Sequence, residues 1–435
     1  MQTTIIRNGR IVDPTQNIDG IFDLVIKDDL IAGILTSEES EKIINKNTTI
    51  IDAKGMYVFP GFIDTHVHVR EPGAEALETI HTAARAAIAG GFSSIAMMPD
   101  TDPPVDNEAS AEYVYLQSDR AGFANVFPIG ALTQKREGEF LAEIGQLYYA
   151  NAVAFSDAPK AITDTSVLMK AMQYCGMFKR TLFLHPEDPF LAGKGVMNSG
   201  YNSSILGLPT RPAVAEEVKI SRDLYLSRST QANVHFSPIT TKGAVKLIKQ
   251  AKDEGINATA SVTPHHLLLT DNCVKTFNAS KAKVLPPLRT SEHIEALKAG
   301  LQDGTIDVVC STHTPCAFVD KTHDFVLSAF GVVGLETTVS LIFSRFVETG
   351  AIDLSRFVEL FSTNPAKILR LSRRLGSLER GKEADITIFD PSVEWTIDSA
   401  NFLSKSKNTA FEGEKTKGKA RYVFVKGKCY DCNQL

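Results

Sequence analysis

The sequence predicts an α/β chain, a (β/α)8 TIM barrel with a small β-sandwich built from both chain ends. Three observations carry this expectation. From residue 60 onward strand-like and helix-like segments alternate eight times, the sequence form of repeated βα units around a parallel sheet. The 435 residues exceed one ordinary core but suit a barrel of about 250 residues or more with a smaller attached domain. The two ends, 1–59 and 376–435, are rich in short strands and turn signals, and neither is large enough to make a good core alone. They are expected to pair into one domain, which the chain leaves at about residue 60 and rejoins near 376. The barrel then occupies 60–375.

The eight barrel strands are expected at Phe62 to Val69, Ser93 to Met98, Asn125 to Gly130, Ala152 to Ser156, Thr181 to His185, Asn233 to Ser237, Asn257 to Thr263 and Asp307 to Thr312. Amphipathic stretches lie between them. The first, Leu77 to Gly90, ends in Gly90-Gly91, a helix stop. At the ends, Ile386-Thr387-Ile388-Phe389-Asp390-Pro391 and Arg421-Tyr422-Val423-Phe424-Val425 read as strands with turns after them.

Composition narrows the function classes. A formal net charge of −5 and a pI near 6.1, without a basic tail or cluster, give no footprint for nucleic acid or an anionic membrane. The N-terminus lacks a signal-peptide apolar stretch, and no run approaches the roughly 18 apolar residues needed to span a bilayer. A cytoplasmic protein is expected. Six cysteines over this length make no disulfide framework, and Cys429-Tyr430-Asp431-Cys432 is a single pair near a chain end, weak as a zinc signal.

In such a barrel the active site lies at the C-terminal ends of the strands. Strand one ends in His66, His68 and Arg70. Residues i and i+2 of a strand share a face, so the two imidazoles can converge on one metal ion. Strand four ends in Asp157, strand five in His185, and strand eight in Cys310-Ser311-Thr312-His313-Thr314-Pro315-Cys316. His66, His68, Asp157 and His185 could form a pocket for one or two divalent ions, with Asp157 as a bridge. Each also has a structural reading, since His185 could be a satisfied core histidine and Asp157 could cap the following helix.

The runs His66-Val67-His68-Val69-Arg70-Glu71-Pro72-Gly73, Thr263-Pro264-His265-His266-Leu267-Leu268, Pro286-Pro287-Leu288-Arg289 and Asp303-Gly304-Thr305-Ile306-Asp307 resemble those of bacterial dihydroorotases of the amidohydrolase superfamily, over essentially the whole chain. The resemblance implies reversible ring closure of N-carbamoyl-aspartate to dihydroorotate in pyrimidine synthesis, with a zinc-bound hydroxide as nucleophile. It places His66, His68, Asp157 and His185 at metal-ligand positions and Arg70 at the arginine that holds the substrate carboxylate. It also implies a small-molecule pyrimidine precursor as ligand, zinc at one or two sites, and a homo-oligomer; with Pro238 and Thr312 at two of the ligand positions, partial zinc occupancy is expected.

Several positions depart from the family pattern. Asp-His-Ala-Pro-His at strand eight becomes Thr312-His313-Thr314-Pro315-Cys316, so Thr312 stands at the base position and Cys316 at a substrate-binding one. Threonine cannot take a proton from a metal-bound water near neutral pH. Pro238 replaces the strand-six histidine, and His235, three residues earlier, is expected on the opposite face. Asp100 replaces an asparagine among the substrate-binding positions and Leu285 replaces another. Two functions stay open: a cyclic amidohydrolase with impaired turnover, or a non-catalytic homologue acting as a partner or scaffold of aspartate transcarbamoylase.

Overall fold

The computed structural model describes residues 3–275 and 279–435. The N-terminal end, rich in Thr, Ile and Val, forms β1 (Thr3–Asp13), β2 (Ile18–Lys27), β3 (Leu30–Leu35), β4 (Thr48–Asp52) and β5 (Tyr57–Pro60), as β-branched runs between turns should. β1 lies antiparallel to β2 and, on its other edge, parallel first to β4 and then to β5.

One residue after β5 the barrel begins. Its strands are β6 (Phe62–Val67), β7 (Phe92–Met97), β8 (Asn125–Gly130), β9 (Ala154–Ser156) and β10 (Thr181–Leu184). A short pair, β11 (Met197–Asn198) and β12 (Thr210–Arg211), stands apart from it. The barrel resumes with β13 (Asn233–Phe236), β14 (Ala258–Val262) and β15 (Val308–Val309). All eight expected strands are present, parallel and in sequence order. β6 to β10 are buried at every position, as parallel strands covered by helices must be. Most end one to three residues before their expected limits, because their last residues bend away to build the barrel mouth.

β15 is cut shortest, and the reason lies in the backbone. Thr312 adopts φ +44, outside the range of a β-branched residue in a strand, so after Cys310, which still bonds to Val262 O, the ladder is broken at Ser311 and Thr312 and resumes only as a single bridge from His313 to Val67. Closure is completed by other means. His68 N–H donates to His313 O at 2.8 Å, and the Asp64 carboxylate accepts from Ser311 N–H at 3.0 Å. A side chain thus takes the place of a ladder bond between the first and last strands.

The helix Ile80–Gly90 shows how the βα units are delimited. The Thr79 side chain accepts from Thr82 N–H to cap its start, and Gly91 at φ +96 ends it. Gly90 lies so close to its neighbour that an added Cβ would sit 2.0 Å from Leu335 O.

The chain then returns to the first sheet as β16 (Ile386–Thr396), β17 (Lys415–Val425) and β18 (Lys428–Asp431). β16 pairs antiparallel with β5, giving one eight-stranded sheet in the order β18-β17-β16-β5-β1-β2-β3, with β4 beside β1. Its own core gathers Ile6, Ile11, Leu24, Ile26, Val58, Ile386 and Phe424. The seam with the barrel is aromatic, with Phe59, Phe62, Phe343, Phe357 and Phe389 in mutual ring contact. Among the described residues no helix is long and apolar enough to cross a membrane.

Candidate active site

A cavity of about 180 Å³ opens at the C-terminal ends of the barrel strands, lined by His66, His68, Arg70, Asp100, His185, His265 and Thr312, with Pro159, Pro238, Val284, Leu285, Phe330 and Val332 as apolar wall. β6 delivers the two histidines. Both are buried, and their Nε2 atoms face each other at 3.2 Å. His66 Nδ1 lies 2.7 Å from Ser237 Oγ. His68 Nδ1 lies 2.8 Å from Asp100 Oδ2, an ion-pair contact without hydrogen-bond alignment. Burial first, then His68 and His185, holds the His66 imidazole neutral, far below its ordinary pKa.

Asp100 is the electrostatic centre of this wall. Arg70 Nη1 donates to Asp100 Oδ2 at 2.9 Å. Burial works against its ionisation, but His68, Arg70 and Arg136 outweigh it, and the carboxyl stays well below the usual range. Its other oxygen, Oδ1, is buried without a hydrogen-bond partner, as is Arg70 Nε.

The remaining expected residues are dispersed. His185 lines the cavity, with Nε2 unbonded and 3.8 Å from Glu187 Oε2, while Glu187 pairs with Arg211. The Asp157 carboxylate is turned to the loop after β8, where it accepts from Leu132 N–H at 2.9 Å, Thr133 N–H at 3.1 Å and the Thr133 hydroxyl. It does not line the cavity, and burial raises its pKa. Cys316 lies outside this cavity too, in a neighbouring space of about 280 Å³ that it shares with Arg70 and Asp100. Thr312 reaches the cavity, but its hydroxyl donates to Ser311 O at 2.8 Å. Among the described residues no three His, Cys, Asp or Glu side chains are grouped to hold a metal ion.

Pro238 lines the cavity while His235 does not. His235 meets Phe183 at 4.5 Å between ring centroids, the rings tilted, and shares a hydrogen bond with Thr259 Oγ1 at 2.9 Å, two residues before Ser237. Sequence reasoning missed Ser237, because a serine before a proline carries no motif; only the barrel register sets it against His66. Phe330 and Val332 come from a segment without periodic signal.

Burial pushes His235 down to about 3, below its ordinary value near 6.5. The neutral ring's contribution to stability is therefore complete above that ordinary value and is lost as pH falls. His235→Phe takes up no proton, so its stability relative to wild type should rise by about 2 to 3 kcal/mol between about pH 7 and pH 4.5. Thermal melts at both pH values check this, and a difference that ignores pH contradicts it.

The arrangement can bind and orient a small polar ring between imidazoles and an Arg–carboxylate pair. Neither Asp100, held well below the usual carboxylate range, nor the Thr312 hydroxyl is suited to deprotonate water near neutral pH, which leaves the lining imidazoles as the basic groups of the cavity.

Comparison with known proteins agrees with this picture. The family described as Dihydro-orotase-like matches residues 55–244 and the Amidohydrolase family residues 183–429. A dihydroorotase of Acetivibrio thermocellus is 42% identical over 423 residues, 97% of each chain. One of Ruminiclostridium cellulolyticum is 43% identical, again over 97% of each. Among solved structures, L-hydantoinase (dihydropyrimidinase) from Arthrobacter aurescens superimposes with a TM-score of 0.87 at 23% identity, covering 99% of this chain and 96% of that one. At that identity the likeness is one of fold.

Proposed function

Because the chain belongs to the dihydroorotase family of amidohydrolases, we propose that the barrel-mouth cavity is a cyclic-amide site of pyrimidine biosynthesis whose own turnover is curtailed. The observation that carries this is the pairing, in one cavity, of the family's His66, His68 and Arg70 with a strand-eight threonine at the base position. The histidines and the arginine position a ring amide. The hydroxyl of Thr312, bonded to Ser311 O, accepts no proton from water. Titration calorimetry with dihydroorotate and its uncharged ring analogue tests the reading, and a chain that binds neither contradicts it.

Members of this family are generally zinc-dependent. Here two imidazoles, His66 and His68, meet as a zinc pair would. His185 and His265 line the same cavity but do not join that pair as a three-donor group among the described residues, and Asp157 is committed to residues 132 and 133. This set falls short of a two-ion centre. Less than one equivalent of zinc per chain is the expected result of metal analysis after gentle purification. Near two equivalents would mean that Asp157 or another donor rearranges to complete the centre. Assembly with further copies of the chain or with aspartate transcarbamoylase rests on the resemblance alone, and a cytoplasmic location on the sequence expectation; size-exclusion chromatography and co-purification test the two assemblies.

A further inference from the structure

We propose that Asp100 sets the ligand class of the cavity, by neutralising Arg70 from within the protein so that an uncharged cyclic amide is preferred over a ring that carries a carboxylate. This rests on reading the cavity as a cyclic-amide site. Apart from its histidines, the charged groups lining the cavity are Arg70 and Asp100 alone among the described residues, and they are paired at 2.9 Å. The apolar part of the lining, Pro238, Val284, Leu285, Phe330 and Val332, offers no cation, and Arg136, which acts on Asp100 from outside the lining, donates to Asp157 O and Ala158 O. A ligand carboxylate entering here finds its natural partner taken and a like charge beside it.

The same pair has what a neutral ring needs. The Asp100 side chain is 7% exposed, and its Oδ1 is an acceptor without a donor. Arg70 Nε is a buried donor without an acceptor. A cyclic amide presents N–H and C=O on adjacent ring atoms, so its N–H can donate to the Asp100 carboxylate while its carbonyl accepts from the part-exposed Arg70 guanidinium. Leu285 and Val284 then face ring carbon.

Dihydrouracil and dihydroorotate share one ring and differ by the carboxylate, so titration calorimetry of the purified full chain with each isolates the effect. Wild type should bind dihydrouracil at least about tenfold more tightly than dihydroorotate, and Asp100→Asn, which frees Arg70, should reverse the order. Dihydroorotate binding to wild type as tightly as dihydrouracil, or an unchanged preference in the variant, overturns the inference and leaves the cyclic-amide reading standing. Binding of neither ring to either protein overturns that reading, and the inference with it. Should the variant fail to fold, the wild-type preference decides alone.

Discussion

Dihydroorotate turnover by the purified chain with saturating zinc is expected to lie several orders of magnitude below the ordinary enzymatic range of about 1 to 10³ per second, or below detection. A general base of suitable pKa contributes about 10² to 10⁴ in rate, and here the strand-eight position holds Thr312, whose hydroxyl is bonded to Ser311 O. Asp100, the carboxylate nearest the histidines, pairs with Arg70 and is held ionised, so it does not substitute as the base. The absent strand-six histidine, replaced by Pro238 in the cavity wall, adds to the deficit. The two deficits need not add. The fold is not expected to suffer, because these side chains line the mouth and not the packed layers. A steady-state rate within the ordinary range, abolished by His66→Ala and His68→Ala, would show that another group supplies the base.

Replacement of Phe357 by alanine is expected to destabilise the protein by about 3 to 5 kcal/mol, the usual cost of emptying a buried aromatic site. Phe357 is fully buried and meets Phe59 at 5.8 Å, Phe62 at 5.6 Å, Phe361 at 5.0 Å and Phe389 at 6.5 Å. These rings come from β5, β6, β16 and the C-terminal helical region, so one truncation loosens the terminal sheet and the barrel together. Offset and edge-on ring pairs contribute beyond their area. Chemical denaturation of both proteins measures the loss. A change below about 1 kcal/mol would show that the site collapses around the gap and that the seam is held elsewhere.

The barrel was legible because its signal is redundant: eight buried apolar runs separated by helical periodicity leave few other architectures. Strand ends were less so. His185 and Ser237 continue the pattern of their strands, but what bends them away is the mouth they help to build. The truncation of β15 had no sequence cue at all, since it follows from a backbone turn at Thr312 and from Asp64 supplying a bond across the closure. At the site, His66, His68 and Arg70 were legible because spacing along one strand fixes a shared face. Asp157 and Cys316 were not placed by the same logic. Where a strand-end side chain points depends on donors in the next loop, and for Asp157 those are the N–H groups of Leu132 and Thr133. The pairing of Arg70 with Asp100 joins the ends of two strands 30 residues apart in sequence, a distance that no local pattern spans.

The interleaving of β16 between β5 and β17 has a consequence for the order in which the protein is made. β5 emerges from the ribosome with one edge unpaired, and its partner follows only after the whole barrel, roughly 15 to 65 seconds later at about 5 to 20 residues per second. Through that interval the first sheet is half a sheet, with the apolar residues of β1, β2 and β5 uncovered and an open edge able to pair with another nascent chain. The barrel can begin to close before its neighbouring domain exists. The last fifty residues of the chain therefore do more than finish a sheet: their arrival ends the period in which the nascent protein is most prone to aggregate.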